Sequence, residues 1–116
     1  MLDDNVWDWL QPATVAFENV SRNEVETGIA NGDFQLFSSA HSAAVTCAFG
    51  KSLRIGLAGG DLDELLDIEQ DICDYARSHD FDSVEIIGRP GWERVLPGYR
   101  RTAVLMRKEL DYHGLH

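Results

Sequence analysis

One stretch constrains this chain more than any other: an alternating segment that runs through a glycine pair into a long amphipathic run. Leu53-Arg54-Ile55-Gly56-Leu57 alternates apolar with polar or small residues, the period of a half-buried strand. Gly59-Gly60 ends it. Asp61-Leu62-Asp63-Glu64 then has the spacing of a capping box with Asp as the cap. Leu62, Leu65, Leu66, Ile72, Cys73 and Ala76 follow helical spacing, and Ile68 and Tyr75 widen the stripe, so a helix is predicted over 62–78. Residues 82–88 read as a strand through Val84, Ile86 and Ile87. Strand, helix and strand in that order make a β-α-β crossover, which sets the two strands parallel.

The segments before this unit predict a helical start and an antiparallel meander. Val6, Trp7, Leu10 and Phe17 fit a short element ending near Leu10 and a helix over 12–20, with Pro12 at its start. Ser21-Arg22-Asn23-Glu24 repeats the capping arrangement, Val25 and Ile29 follow at i and i+4, and Asn31-Gly32 is a stop signal, so a second helix covers 22–30. Phe34-Gln35-Leu36-Phe37-Ser38 and Ala44-Val45-Thr46-Cys47-Ala48-Phe49 are strands, with a hairpin at Gly50-Lys51-Ser52 leading into the alternating segment. After the crossover, Pro90 starts a short helix ending at Leu96, Pro97-Gly98 terminates it, and 102–110 is a last strand. At 116 residues without repeats or a low-complexity linker, the whole chain, 1–116, is expected to be a single domain.

Charge narrows the function classes. Ten Lys and Arg against 20 Asp and Glu give a net charge of −10. A general nucleic-acid binder is disfavoured, because phosphate contacts rely on Lys and Arg, and nucleic acid is expected at most locally. Ten of the acids lie in residues 61–85 with only Arg77 against them, whereas 86–116 hold six bases and three acids. Such segments pack beside one another, face separate partners, or form a solvated face with local ion pairs. No apolar run approaches a membrane span, and the start of the chain, with Asp3, Asp4 and Asp8, lacks a basic leader. Cys47 and Cys73 make neither a disulfide framework nor a zinc site, and His41, His113 and His116 lack metal-ligand spacing. No metal is expected. Cys47 reads as a small core residue.

The succession of two helices, three meander strands, a long helix, a strand, a short helix and a last strand resembles the GNAT (N-acetyltransferase) superfamily. Its local cues are the meander strand running into Gly59-Gly60 and the segment Gly91-Trp92-Glu93-Arg94-Val95-Leu96-Pro97-Gly98-Tyr99-Arg100. Gly32-Asp33-Phe34-Gln35-Leu36-Phe37 and Ile87-Gly88-Arg89-Pro90-Gly91-Trp92 are similar to a short branch encoded by tailed bacteriophages, acetyltransferase-like or virion proteins. The resemblance implies an α/β fold, GNAT-like, three-layer α/β/α, with a mixed and mainly antiparallel sheet.

The resemblance also implies an acetyl-CoA site at the start of the long helix, where the family holds a diphosphate on a Gln/Arg-x-x-Gly-x-Gly/Ala loop. At that place stands Leu57-Ala58-Gly59-Gly60-Asp61-Leu62-Asp63-Glu64: the leading Gln or Arg is missing, the glycines are adjacent, and three carboxylates crowd the first turn. Gly59 and Gly60 either open a phosphate nest or form a strand-to-helix turn of unusual φ, and the turn is preferred. The family's Tyr acid falls at Trp92, an indole that does not act as an acid near neutral pH. Tyr99 and Glu85 remain the catalytic candidates of an active enzyme, with His79 a weaker base, while Tyr99 is expected to pack against the sheet.

The leading expectation is therefore a non-catalytic interaction module of a phage particle (head, head-tail or ejection apparatus), without a cofactor, located in the virion or host cytoplasm. The alternative is an acetyl-CoA-dependent N-acetyltransferase acting on a host protein or small amine. Candidate interaction residues are Trp7, Trp9, Arg89, Trp92, Arg94, Arg100 and Arg101, facing phage structural proteins, with homo-oligomers also open. Trp7 and Trp9 fit docking and covering of the sheet equally well.

Overall fold

A computed structural model describes residues 2–17, 19–87, 92–102, 106, 108 and 110. The order is α1 (Asp4–Leu10), a 3-10 helix (Gln11–Phe17), α2 (Arg22–Ala30), β1 (Phe34–Ser38), β2 (Ser42–Phe49), β3 (Ser52–Gly60), α3 (Leu62–Ser78), β4 (Ser83–Ile86) and α4 (Trp92–Val95). The strands form one mixed sheet in the order β1-β2-β3-β4, antiparallel across β1, β2 and β3 and parallel between β3 and β4. The meander and the right order for a β-α-β crossover thus both follow the sequence. Among the described residues no helix is long and apolar enough to cross a membrane.

The capping signals act where they stand. Ser21 Oγ accepts the Glu24 N–H at 3.1 Å to start α2, and Asp61 Oδ1 accepts the Glu64 N–H at 3.0 Å to start α3. Along α3, Ile68, Ile72 and Ala76 are buried at i, i+4 and i+8, while Asp63, Asp67, Asp71 and Asp74 are exposed.

Several boundaries differ from expectation, each for a local reason. The helix expected over 12–20 is a 3-10 helix over Gln11–Phe17, in which the buried Thr14 hydroxyl donates to the Gln11 carbonyl at 2.7 Å and competes for a backbone acceptor. β2 starts earlier, at Ser42, and so carries β3 through the glycine pair, with Ala43 opposite Gly59 and Ser42 opposite Gly60. β4 is shorter than the expected 82–88. Of the expected last strand, the described residues 102, 106, 108 and 110 lie in no strand, and its other residues lie outside the described ones.

The alternation in β3 does not serve one face. Val45 pairs with Leu57 but Thr46 pairs with Ile55, so Gly56 is an extra residue, a β-bulge that reverses the side-chain parity. Leu53 and Ile55 consequently join the buried cluster under α3, with Ala44, Ile68 and Ile72. Leu57 joins the other cluster, with Ala43, Val45, Val25 of α2, and Val6 and Leu10 of α1. The chain start is tied down beside that second cluster. Arg22 reaches Asp4 at 2.8 Å, Glu26 at 3.1 Å and the Leu2 carbonyl, and Glu26 accepts the Leu2 N–H at 3.1 Å. The Leu2 N–H and the Arg22 guanidinium together hold the Glu26 carboxyl below its ordinary range.

Candidate functional site: the start of helix α3

The glycine pair is held by the chain itself. A Cβ on Gly59 would lie 1.8 Å from the Trp9 carbonyl oxygen, so α1 sits directly on the strand backbone there. Gly60 has φ +113, and a Cβ on it would lie 2.2 Å from the His41 carbonyl oxygen. Both glycines are required by close backbone approach, and the space beside them is filled by Trp9 and by the turn at 40–42. Gly60 meets the turn expectation in its φ, but both residues belong to β3.

Glu64 closes the same corner. In a full capping box its carboxylate would reach back to the Asp61 N–H. Here the Asp61 N–H donates to the His41 carbonyl at 3.0 Å, and Glu64 turns to the β1–β2 turn. Glu64 Oε1 accepts from the His41 N–H at 2.7 Å and the Ser42 hydroxyl at 2.8 Å, and Oε2 lies 3.1 Å from His41 Nδ1. The His41 backbone N–H, then the Ser42 hydroxyl, hold the Glu64 carboxyl down to about 2. A carboxylate ionised that far down occupies the flank of the helix start, and Asp61 takes the Glu64 N–H that an anion would need. A diphosphate there would meet like charge, about 1 kcal/mol for a unit pair 4 Å apart in water and more in a drier site. The residues present do not fit the acetyl-CoA diphosphate.

The Glu64 contacts predict an acid response. Its folded value lies below the ordinary 4.5, so its contribution to stability is complete above pH 4.5 and is lost as pH falls towards about 2. Glu64→Gln is expected to lower the urea midpoint at neutral pH and to flatten its fall between those two pH values. A variant whose midpoint tracks the wild type throughout would show that the anchor contributes nothing.

The two catalytic candidates stand apart, each already engaged. Glu85, on β4, faces Arg54 across the parallel pair, and its Oε1 accepts from Arg54 Nε at 3.1 Å and from the guanidinium Nη2 at 3.0 Å. The Tyr99 hydroxyl donates to Glu69 Oε2 on α3 at 2.8 Å. Burial and that carboxylate push the Tyr99 hydroxyl up from its ordinary value, which makes it a poorer proton donor. Cys73 donates to the same Glu69 oxygen at 3.0 Å, and burial followed by Glu69 pushes its thiol up to about 11. This Glu69–Cys73–Tyr99 group was not foreseen, although Glu69 and Cys73 stand at i and i+4 on one helix. Through Glu69 it borders a small, open-mouthed apolar crevice of about 30 Å³ between α3 and the sheet, lined by Ala44, Ala58 and Leu96 among others. His79 caps α3, its ring stacked on Tyr75 at 3.9 Å.

The interaction candidates also separate. Trp7 and Trp9 are half-buried against the cluster around Val45 and Leu57, where they cover the sheet. Arg94, Arg100 and Arg101 are exposed, Trp92 opens α4, and Arg89 lies outside the described residues, as do His113 and His116. Cys47 is half-buried on β2 and, like Cys73, free. Among the described residues no group of three His, Cys, Asp or Glu is placed to hold a metal. No protein-family model matches the chain, and neither a curated protein nor a solved structure is significantly similar to it.

Proposed function

We propose that this chain is a non-catalytic interaction module of a tailed-phage particle, built on a GNAT-like three-layer α/β/α fold. The observation that carries the non-catalytic part is the closed corner at the start of α3. Gly59 is against the Trp9 carbonyl, Gly60 is against the His41 carbonyl, and Glu64 is ionised beside them. A fold that spends its cofactor corner on its own backbone is suited to presenting surfaces. Glu85 bound to Arg54 and Tyr99 bound to Glu69 support the same reading, since neither is poised to move a proton. The particle assignment is supported by the resemblance of residues 32–37 and 87–92 to the phage-encoded branch.

Titration calorimetry with acetyl-CoA tests the non-catalytic part. No binding heat is expected at millimolar ligand, and saturable micromolar binding would favour the alternative, an N-acetyltransferase acting on a host protein or small amine. Mass spectrometry of purified phage particles tests the assignment to a particle: a defined copy number is expected, and absence from the particles overturns it.

A further inference from the structure

We propose that Asn31 is a site of spontaneous deamidation, at which the Gly32 backbone nitrogen displaces the side-chain amide and leaves aspartate or isoaspartate between α2 and β1. The inference rests on that junction and is independent of the particle assignment. The chain has four asparagines, and Asn31 is the one followed by glycine. Val6, Val20 and Glu24 follow Asn5, Asn19 and Asn23, and a side chain on the following residue hinders ring closure. Asn5 and Asn23 also stand within α1 and α2, where the helix fixes the backbone torsions.

The fold leaves the reaction open at Asn31. Asn31, Gly32 and Asp33 are all exposed, so hydroxide reaches the Gly32 N–H. A Cβ on Gly32 would meet nothing within 4 Å, so that side of the residue is clear. The Asp33 N–H donates to Asn31 Oδ1 at 3.0 Å, and this is the oxygen on which negative charge develops as the ring closes. Attack requires rotation about the Asn31 backbone, at the C-cap of α2, which releases the Gly32 N–H from the Ile29 carbonyl. That bond is already long, at 3.3 Å, and helix ends open at low cost.

The reaction balances with water as its one co-reactant. The Gly32 nitrogen bonds to Asn31 Cγ, the Cγ–Nδ2 bond breaks, and Nδ2 leaves as ammonia with the proton that Gly32 gives up. Water then opens the succinimide. Opening at Cγ gives aspartate; opening at the backbone carbonyl gives isoaspartate, whose main chain runs through Cγ and is one methylene longer. Each product sets a carboxylate at the C-terminal end of α2, where the helix dipole opposes it, close to Asp33. The longer link also disturbs a close fit, because the Phe34 ring of β1 lies against Gly28 of α2 with no room for a Cβ. Deamidation therefore loosens α2 on the sheet.

Peptide mapping by mass spectrometry of the full chain, kept folded in warm and mildly alkaline buffer, reads the proposal. Aspartate and isoaspartate are expected at residue 31 well before any other asparagine converts, and faster as pH rises. The same incubation in urea gives the rate of the unfolded chain, and the folded chain is expected to convert about as fast. A folded chain more than about tenfold slower overturns the proposal, because the junction would then protect the amide. Asn31→Gln, whose longer side chain closes a ring far more slowly, is the control for the consequence. Ageing is expected to lower the Tm of the wild type by a few degrees and to leave Asn31→Gln unchanged. A wild type that is converted at residue 31 yet keeps its Tm overturns the loosening of α2.

Discussion

Gly59→Ala is expected to destabilise the chain by about 3 kcal/mol and to lower Tm by roughly 10–15 °C. The added methyl would fall 1.8 Å from the Trp9 carbonyl oxygen, and that atom is backbone at the end of α1. A flexible side chain could swing aside, but a helix terminus cannot move without lifting Leu10, which is fully buried under it. Gly56→Ala is the matched control on the same strand. Its nearest neighbour would be the Val45 carbonyl oxygen at 3.9 Å, an ordinary contact, so a change under about 1 kcal/mol is expected. Equal effects at the two positions would show that α1 does not press on β3. The pair also separates two roles for Gly59. A glycine kept for a phosphate would tolerate alanine in the free protein and show its loss only in ligand binding. A glycine kept for helix docking shows it in Tm without any ligand.

That same corner marks where sequence reasoning stopped. The caps of α2 and α3 were legible because each is decided within four residues, Ser21 with Glu24 and Asp61 with Glu64. The parallel pairing of β3 with β4 was legible because a helix of α3's length between two strands admits little else. The role of Gly59 and Gly60 was not, because the atoms that demand glycine belong to Trp9 and His41, distant in the chain and brought in only by packing. Glu64 misled for a related reason. Its spacing is that of a capping box, but the His41 N–H and Ser42 hydroxyl compete for its carboxylate once β1 and β2 turn beside the helix. The bond from Tyr99 to Glu69 is not legible in the sequence, because nothing in the segment around Tyr99 names Glu69 as a partner, yet a hydroxyl half-buried against α3 needs an acceptor. The charge pattern was readable only as an imbalance. Among the described residues the two segments do meet: Tyr99, from the basic third, is bonded to Glu69 of the acidic helix.

The bulge at Gly56 has the widest consequence for stability, because it decides which core each leucine of β3 serves. Unbroken alternation would place Leu53, Ile55 and Leu57 on one face, and losing either leucine would loosen the same layer. With the parity reversed, Leu53, fully buried, packs under α3, while Leu57, 5% exposed, packs under α1 and α2. Leu53→Ala and Leu57→Ala are each expected to cost about 3 kcal/mol, the usual size for a buried leucine whose cavity only partly closes. Amide hydrogen exchange should separate them. Leu53→Ala is expected to raise exchange first in α3, around Ile68 and Ile72, and Leu57→Ala first in α1 and α2, around Leu10 and Val25. The two side chains lie in different clusters with the sheet backbone between them, so the double variant should lose close to the sum of the single losses. Exchange rising in α3 for both variants, or a double variant far from additive, would mean that the two leucines share a face and that β3 runs without its bulge.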